Sequence, residues 1–198
     1  MNSASLKLNL NNIKHTKFIT GKLMDLKKYV RNIPDFPEKG IIFRDLTTLF
    51  NDAKAFGETI KQFEKNWKNE KIDSVAGVDA RGFIIGGALA YRLELPFIPI
   101  RKKGKLPYHT ISEDYDLEYG KGTLEIHKDS IGPGDSVLIV DDLIATGGTA
   151  VASINLLRSL GADIVGCGFV IDLPEVGGRS KLISLGVTVR SVMTFEGH

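Results

Sequence analysis

Apolar positions along this chain change their period several times, and each change marks an element. In residues 52–68, DAKAFGETIKQFEKNWK, the side chains Phe56, Ile60, Phe63 and Trp67 recur at helical spacing between Lys and Glu. That spacing predicts an amphipathic helix. DSVAGV at 73–78 reads as a short buried strand, and a small-residue helix follows over 82–94. PFIPI at 96–100 is a second strand. TLEIHKD at 123–129 alternates apolar and polar residues, the mark of an antiparallel or half-exposed strand. GPGD at 132–135 is a turn, and a buried strand over 136–140 comes next. A helix then carries Val151, Ile154, Leu157 and Leu160 on one face, and strands over 163–173 and 187–192 complete the pattern.

Buried strands alternating with helices predict an α/β fold, a single domain with a largely parallel central sheet flanked by helices. In such folds ligands sit beyond the carboxyl ends of the strands. Three strand ends carry polar residues: Asp79-Ala80-Arg81, Arg101-Lys102-Lys103 and Asp141-Asp142. The polar stretch 101–120 reads as a long loop, and loops of that length without structure are usually lids. Residues 1–23, rich in Asn and Lys, read as a weakly ordered extension before a domain over 24–198. Met24 opens the better-patterned segment and is a candidate internal start.

Composition narrows the function. Of 198 residues, 42% are hydrophobic and 25% charged, as in a soluble globular protein. A net charge of +2 gives nucleic-acid binding no electrostatic support. No apolar run reaches the roughly 18–20 residues of a membrane span, and the amino terminus lacks the apolar core of a secretory signal. Cys167, the single cysteine, lies in the apolar run IVGCGFVI and reads as a small core residue. Together these features favour the cytoplasm. His15, His109, His127 and His198 have no zinc-site spacing and complete no nucleophile–base pair.

The stretch VLIVDDLIATGGTA at 137–150 breaks this bland picture. A strand of apolar residues runs into two adjacent carboxylates, then into the small-residue turn Ala145, Thr146, Gly147, Gly148 and Thr149. Such a turn before a helix exposes backbone N–H groups with the positive end of the helix dipole behind them, a cup for a phosphate. Thr146 and Thr149 add hydroxyl donors. A carboxylate beside a phosphate is repelled, so Asp141 and Asp142 suit the hydroxyls of a sugar whose phosphate lies further along. The stretch therefore reads as a clamp for a ribose phosphate. Neither the P-loop pattern nor the Rossmann glycine pattern is present.

These residues resemble the phosphoribosyl-pyrophosphate signature of the type I phosphoribosyltransferases. DFPEKGIIFRDLT (35–47), GVDARGF (77–83), IRKKGKLP (100–107) and LEYGKGTLEIHKD (117–129) resemble, in order, the adenine phosphoribosyltransferase family. The likeness covers about residues 24–195. It implies transfer of a phosphoribosyl group from 5-phosphoribosyl pyrophosphate to adenine, giving AMP and pyrophosphate, with Mg2+ arriving mainly with the pyrophosphate and no dedicated protein ligand for it. It implies that the turn at 145–149 holds the 5-phosphate and that Asp141 and Asp142 hold the ribose hydroxyls. Arg81, Arg101 and Lys105 would hold pyrophosphate, whereas Lys102 and Lys103 read as solvated. A cis peptide is common in the family at the position of Asp79-Ala80. Glu118 would act as general acid/base at purine N7, with Tyr119 covering the reacting centre. Phe43 would pack on the adenine ring, backbone groups of Ile42 and Arg44 would read its 6-amino edge, and Leu143 and Leu173 would form the other wall. The family is usually homodimeric, and the other partners are small molecules. The alternatives are a phosphoribosyltransferase for guanine, xanthine or orotate, or a non-catalytic sensor on the same fold. The 6-oxopurine enzymes commonly carry Glu-Asp where this chain has Asp141-Asp142, and a sensor needs an added element that the tail before Met24 is too short to supply.

Overall fold

The computed structural model describes residues 24–116 and 120–197. The reading of residues 1–23 as an extension therefore lies outside the described residues. The chain runs through β1 (Arg31–Pro34), β2 (Ile42–Asp45), α1 (Thr47–Phe50), α2 (Ala53–Trp67), β3 (Ser74–Val78), α3 (Arg81–Leu93), β4 (Phe97–Lys102), β5 (Thr110–Asp116) and β6 (Lys121–His127). It continues through β7 (Ser136–Ile144), α4 (Gly148–Ser159), β8 (Asp163–Asp172), α5 (Gly178–Ser184) and β9 (Val189–Thr194). Seven strands form the central sheet in the order β5-β6-β4-β3-β7-β8-β9. From β4 to β9 they are parallel, while β6 pairs antiparallel with β4 and β5 antiparallel with β6. The α/β architecture expected from the alternating pattern is the one observed.

Each buried strand feeds two cores because its side chains alternate between faces. Along β7, Val137 and Ile139 join the core that contains Ile154 and Leu157 of α4. Leu138 and Val140 join the opposite core with Phe63 and Trp67 of α2 and Ile85 and Leu89 of α3. The helical spacing of α2 thus marks its buried face, and Asp52 caps it by accepting hydrogen bonds from the amides of Lys54 and Ala55, both at 2.9 Å. Cys167 lies in mid-sheet with no exposed surface, and burial pushes its thiol up to about 12.

Three elements depart from the sequence reading. The strand ending at Val140 in that reading runs on to Ile144, so both aspartates belong to β7 itself. Its ladder with β8 continues through Asp141↔Phe169 and Leu143↔Ile171, overriding the low strand propensity of aspartate. The stretch expected to be a structureless lid contains β5, fully paired with β6 from Thr110↔His127 to Asp116↔Lys121. Its alternation is masked because the half-buried positions include Glu113, which accepts a 2.7 Å hydrogen bond from Asn155 on α4 instead of packing apolarly. A separate two-stranded layer, β1 against β2, was not legible as strands because each is only four residues long.

Asp45 ties that layer to α1. Its carboxylate accepts from the Thr47 amide (2.9 Å) and hydroxyl (2.7 Å) and from Arg31 Nε (3.0 Å). The Thr47 hydrogen bonds, helped by Arg31, lower its pKa from 3.8 to about 2 despite desolvation. A depressed carboxyl pKa stabilises the fold above about pH 4, and the contribution disappears as pH falls through 2. Replacing Asp45 by Asn is expected to cost about 1–2 kcal/mol at pH 7, read from the urea midpoint, with the difference from wild type shrinking at pH 3.

Candidate active site

The crevice is set by strand order. From β3 the chain crosses over α3 to β4 on one side, and from β7 it crosses over α4 to β8 on the other. Adjacent strands β3 and β7 therefore send their connections in opposite directions, and the amino ends of both helices meet above them. Ser74 faces Val137 and Gly77 faces Val140 in this parallel pair. That register places Asp79-Ala80-Arg81 beside Asp141 and Asp142, although more than sixty residues separate them in sequence.

Two cavities adjoin there. One, of about 120 Å3, is lined by Ala145, Thr146, Gly147, Gly148 and Thr149, with Asp141 and Leu143 at its edge. The other, of about 430 Å3, is lined by Asp79, Ala80, Arg81, Lys102, Tyr115, Asp141, Asp142, Leu143 and Thr149. They share Asp141, Leu143 and Thr149 and so open onto each other.

The small cavity is a backbone device. Gly147 takes φ +77°, a left-handed conformation open to glycine, as the chain turns into α4. No side chain among the described residues caps that helix, which leaves its first-turn amides for a ligand. Behind the loop, the Gly178 amide donates to the Ala145 carbonyl at 2.9 Å, and a Cβ at 178 would lie 2.7 Å from the Gly147 nitrogen. Only glycine lets α5 support the loop this closely. This backing residue has no signal in the sequence, because its part depends on α5 lying against a loop some thirty residues earlier.

The larger cavity concentrates charge. Burial, then the neighbouring Asp142 charge, push the Asp141 carboxyl well above the usual carboxylate range. Burial raises Asp142 as well, against the pull of the Arg81 guanidinium. Arg81 Nε lies 2.6 Å from Asp142 Oδ2, and Asp141 Oδ1 accepts from the Asp142 amide at 2.8 Å. Both carboxyls are thus held in place by their immediate surroundings.

Most of the residues singled out from sequence converge here. Arg81, Asp141, Asp142, Leu143 and Thr149 line the large cavity, and the turn at 145–149 lines the small one. Arg101 and Lys105 reach the rim through Asp79, whose Oδ2 lies 3.4 Å from Arg101 Nε and 3.9 Å from Lys105 Nζ. The Asp79-Ala80 peptide is cis, as the resemblance implied. Phe43 stands beside the crevice, its ring centre 5.5 Å from the Arg81 guanidinium carbon, and Phe36 meets it edge-on at 5.2 Å. Ile42 precedes it on the same strand, half-buried. The Arg44 side chain is buried and turned away, donating to Asn32 Oδ1 at 2.7 Å and covering the Phe195 ring at 4.6 Å. Leu173 lines neither cavity; it is buried in the core on the α2–α3 side. Glu118 and Tyr119 lie outside the described residues.

Three wall residues were missed. Asp79 looked like strand punctuation, and its part as partner to two cations depends on a contact twenty-two residues long. Lys102, set aside as solvated, lines the large cavity, as does Tyr115 from the unrecognised strand β5.

Comparisons with known proteins agree with this geometry. The phosphoribosyl transferase domain model matches residues 47–184. The adenine phosphoribosyltransferase of Maricaulis maris is 58% identical over 174 residues, covering 88% of this chain and 99% of the relative. The crystal structure of adenine phosphoribosyltransferase from Thermoanaerobacter pseudethanolicus superposes with a TM-score of 0.84 at 47% identity, covering 88% of this chain and 100% of that one. The Saccharomyces cerevisiae enzyme, solved with adenine and an imino-altritol bisphosphate, has a TM-score of 0.80 at 38% identity, with coverage of 85% and 96%. A phosphate-sized cup of main-chain amides opening onto paired acids, matched over nearly nine-tenths of the sequence, places the chain in the adenine phosphoribosyltransferase family.

Proposed function

We propose that this chain transfers the phosphoribosyl group of 5-phosphoribosyl pyrophosphate to adenine, releasing AMP and pyrophosphate. The observation that carries the reading is the pair of joined cavities, one phosphate-sized and amide-lined, the other flanked by Asp141, Asp142 and Arg81. The 5-phosphate sits in the small cavity, bound by loop amides and by the hydroxyls of Thr146 and Thr149. Asp141 and Asp142 accept hydrogen bonds from the ribose hydroxyls. Arg81, Arg101 and Lys105 hold the pyrophosphate, each charge-assisted contact contributing about 1.5–3 kcal/mol. Phe43 covers one face of the adenine, Leu143 contributes to the opposite wall, and backbone groups of Ile42 and Arg44 read the amino edge.

In the reaction the bond from the anomeric carbon to the pyrophosphate oxygen breaks while the bond to adenine N9 forms. The sugar carries positive charge in between, and two nearby carboxylates stabilise it. Glu118 handles the proton at purine N7, and Tyr119 shields the centre from water. The motif LEYGK supports both roles.

Asp142 Oδ2 is engaged by Arg81 and Asp141 Oδ1 by the Asp142 amide, so the acids offer few free oxygens, and Mg2+ would take most of its six ligands from the diphosphate and water. When bound, Mg2+ neutralises charge on the leaving group. Family analogy further supports a homodimer in the cytoplasm. No described helix is long and apolar enough to cross a membrane.

Incubation with donor, Mg2+ and adenine is expected to release pyrophosphate at least about a hundredfold faster than with hypoxanthine, whose 6-oxo group mismatches the amino-reading backbone. Equal rates would defeat the adenine assignment. Glu118→Gln should lower kcat about a hundredfold or more with donor KM nearly unchanged, checked by steady-state kinetics. Asp141→Asn should separate binding from stability. A carboxyl whose folded pKa is raised destabilises the fold above its unfolded value, so the variant should melt roughly 2–4 °C higher at pH 7.5. That gain should fade toward pH 4, and donor KM should rise at neutral pH; a variant less stable at neutral pH would contradict the electrostatic account.

A further inference from the structure

We propose that Asp79 is an internal counter-ion of the pyrophosphate site: it gathers Arg101 and Lys105 there and competes with pyrophosphate for them, hastening its release. The inference rests on the proposed reading of those two cations as pyrophosphate ligands.

The geometry singles out Asp79 in three ways. Its amide donates to the Ile100 carbonyl at 2.9 Å, which fixes it against β4, the strand that carries Arg101. Its side chain is only 8% exposed and lines the same cavity as Arg81, Asp141 and Asp142. Its carboxylate meets both cations at once, Arg101 Nε at 3.4 Å and Lys105 Nζ at 3.9 Å. The turn that delivers Lys105 is itself pinned. Arg101 Nη1 donates to the Lys105 carbonyl at 3.1 Å, and the Gly104 amide donates to Glu125 Oε2 at 2.9 Å from β6. Lys105 is thereby brought to Asp79 by its backbone, while its own side chain is half-exposed.

One carboxylate set against two cations leaves a net positive charge, so a multiply charged diphosphate is still attracted. The diphosphate takes the cations, yet the carboxylate stays within a few ångströms and repels it across the crevice. Arginine and lysine side chains have an intramolecular partner waiting when the product departs. Cations without such a partner would hold substrate and product alike, and uniformly tight binding slows turnover once release is limiting. Asp79 is therefore a positioning residue that acts through Arg101 and Lys105, and its signature is an effect on product affinity.

The test compares the full-length protein with Asp79→Asn and Asp79→Glu in donor KM, kcat and product inhibition by pyrophosphate. Asp79→Asn should tighten pyrophosphate inhibition by about fivefold or more and lower kcat, with a rapid burst of AMP before the steady state. Asp79→Glu, which keeps the charge, should stay within about twofold of wild type for pyrophosphate. If Asp79→Asn is insoluble, Asp79→Ser removes the same charge without adding bulk and carries the same comparison. Unchanged inhibition in the neutral variant would overturn the proposal. So would weaker binding of donor and pyrophosphate together with no recovery in the Glu variant, since that is what a purely structural residue produces. Wild-type protein without adenine-dependent pyrophosphate release would sink this inference together with the reading beneath it, whereas an active wild type with an indifferent Asp79→Asn sinks the inference alone.

Discussion

Two carboxylates on consecutive residues, both withdrawn from water, are the constraint around which the rest of this site is arranged. Burial raises the pKa of both Asp141 and Asp142, the Asp142 charge raises Asp141 further, and the pair pay a desolvation cost that a strand chosen for stability alone would avoid. The fold tolerates them because β7 lies inside the sheet, between β3 and β8, with two apolar cores to hold it. The Arg81 guanidinium at the start of α3 offsets part of the charge.

The arrangement has a simple electrical logic. Positive potential stands at the two ends, the amide loop before α4 on one side and the cations near Asp79 on the other. The acids lie between them, where a sugar that develops positive charge would sit. Alternating sign along one ligand demands that three segments distant in sequence reach the same crevice. The β3–β7 register and the opposite crossover directions accomplish that without any long loop. The β1–β2 layer then brings Phe43 over the top, held to α1 through Asp45.

Legibility in the sequence followed the physics of each feature. The parallel strands, α2, α3 and α4 were readable because burial imposes a period on their apolar residues. The turn at 145–149 was readable because a tight turn with exposed amides needs small residues in a row. Features held together by long-range polar contacts were not. Glu113 on β5 pairs with Asn155, which hides the strand's alternation, and Asp79 becomes a counter-ion only when β3 and β4 lie side by side. Gly178 has meaning only once α5 is pressed against the loop at 145–147. Strand β7 was cut short at Val140 because aspartates ordinarily end strands, and here the chemistry of the crevice keeps them inside one.

Cys167 stands in the middle of this sheet, and its seclusion reaches beyond packing. Nucleophilic sulfur is the thiolate, and a group held near pH 12 offers almost none of it under physiological conditions. Peroxide and alkylating reagents would find neither an ionised sulfur nor a path to it, and the chain carries no second cysteine for a bridge. The Cys167 thiol is thereby insulated from thiol redox chemistry.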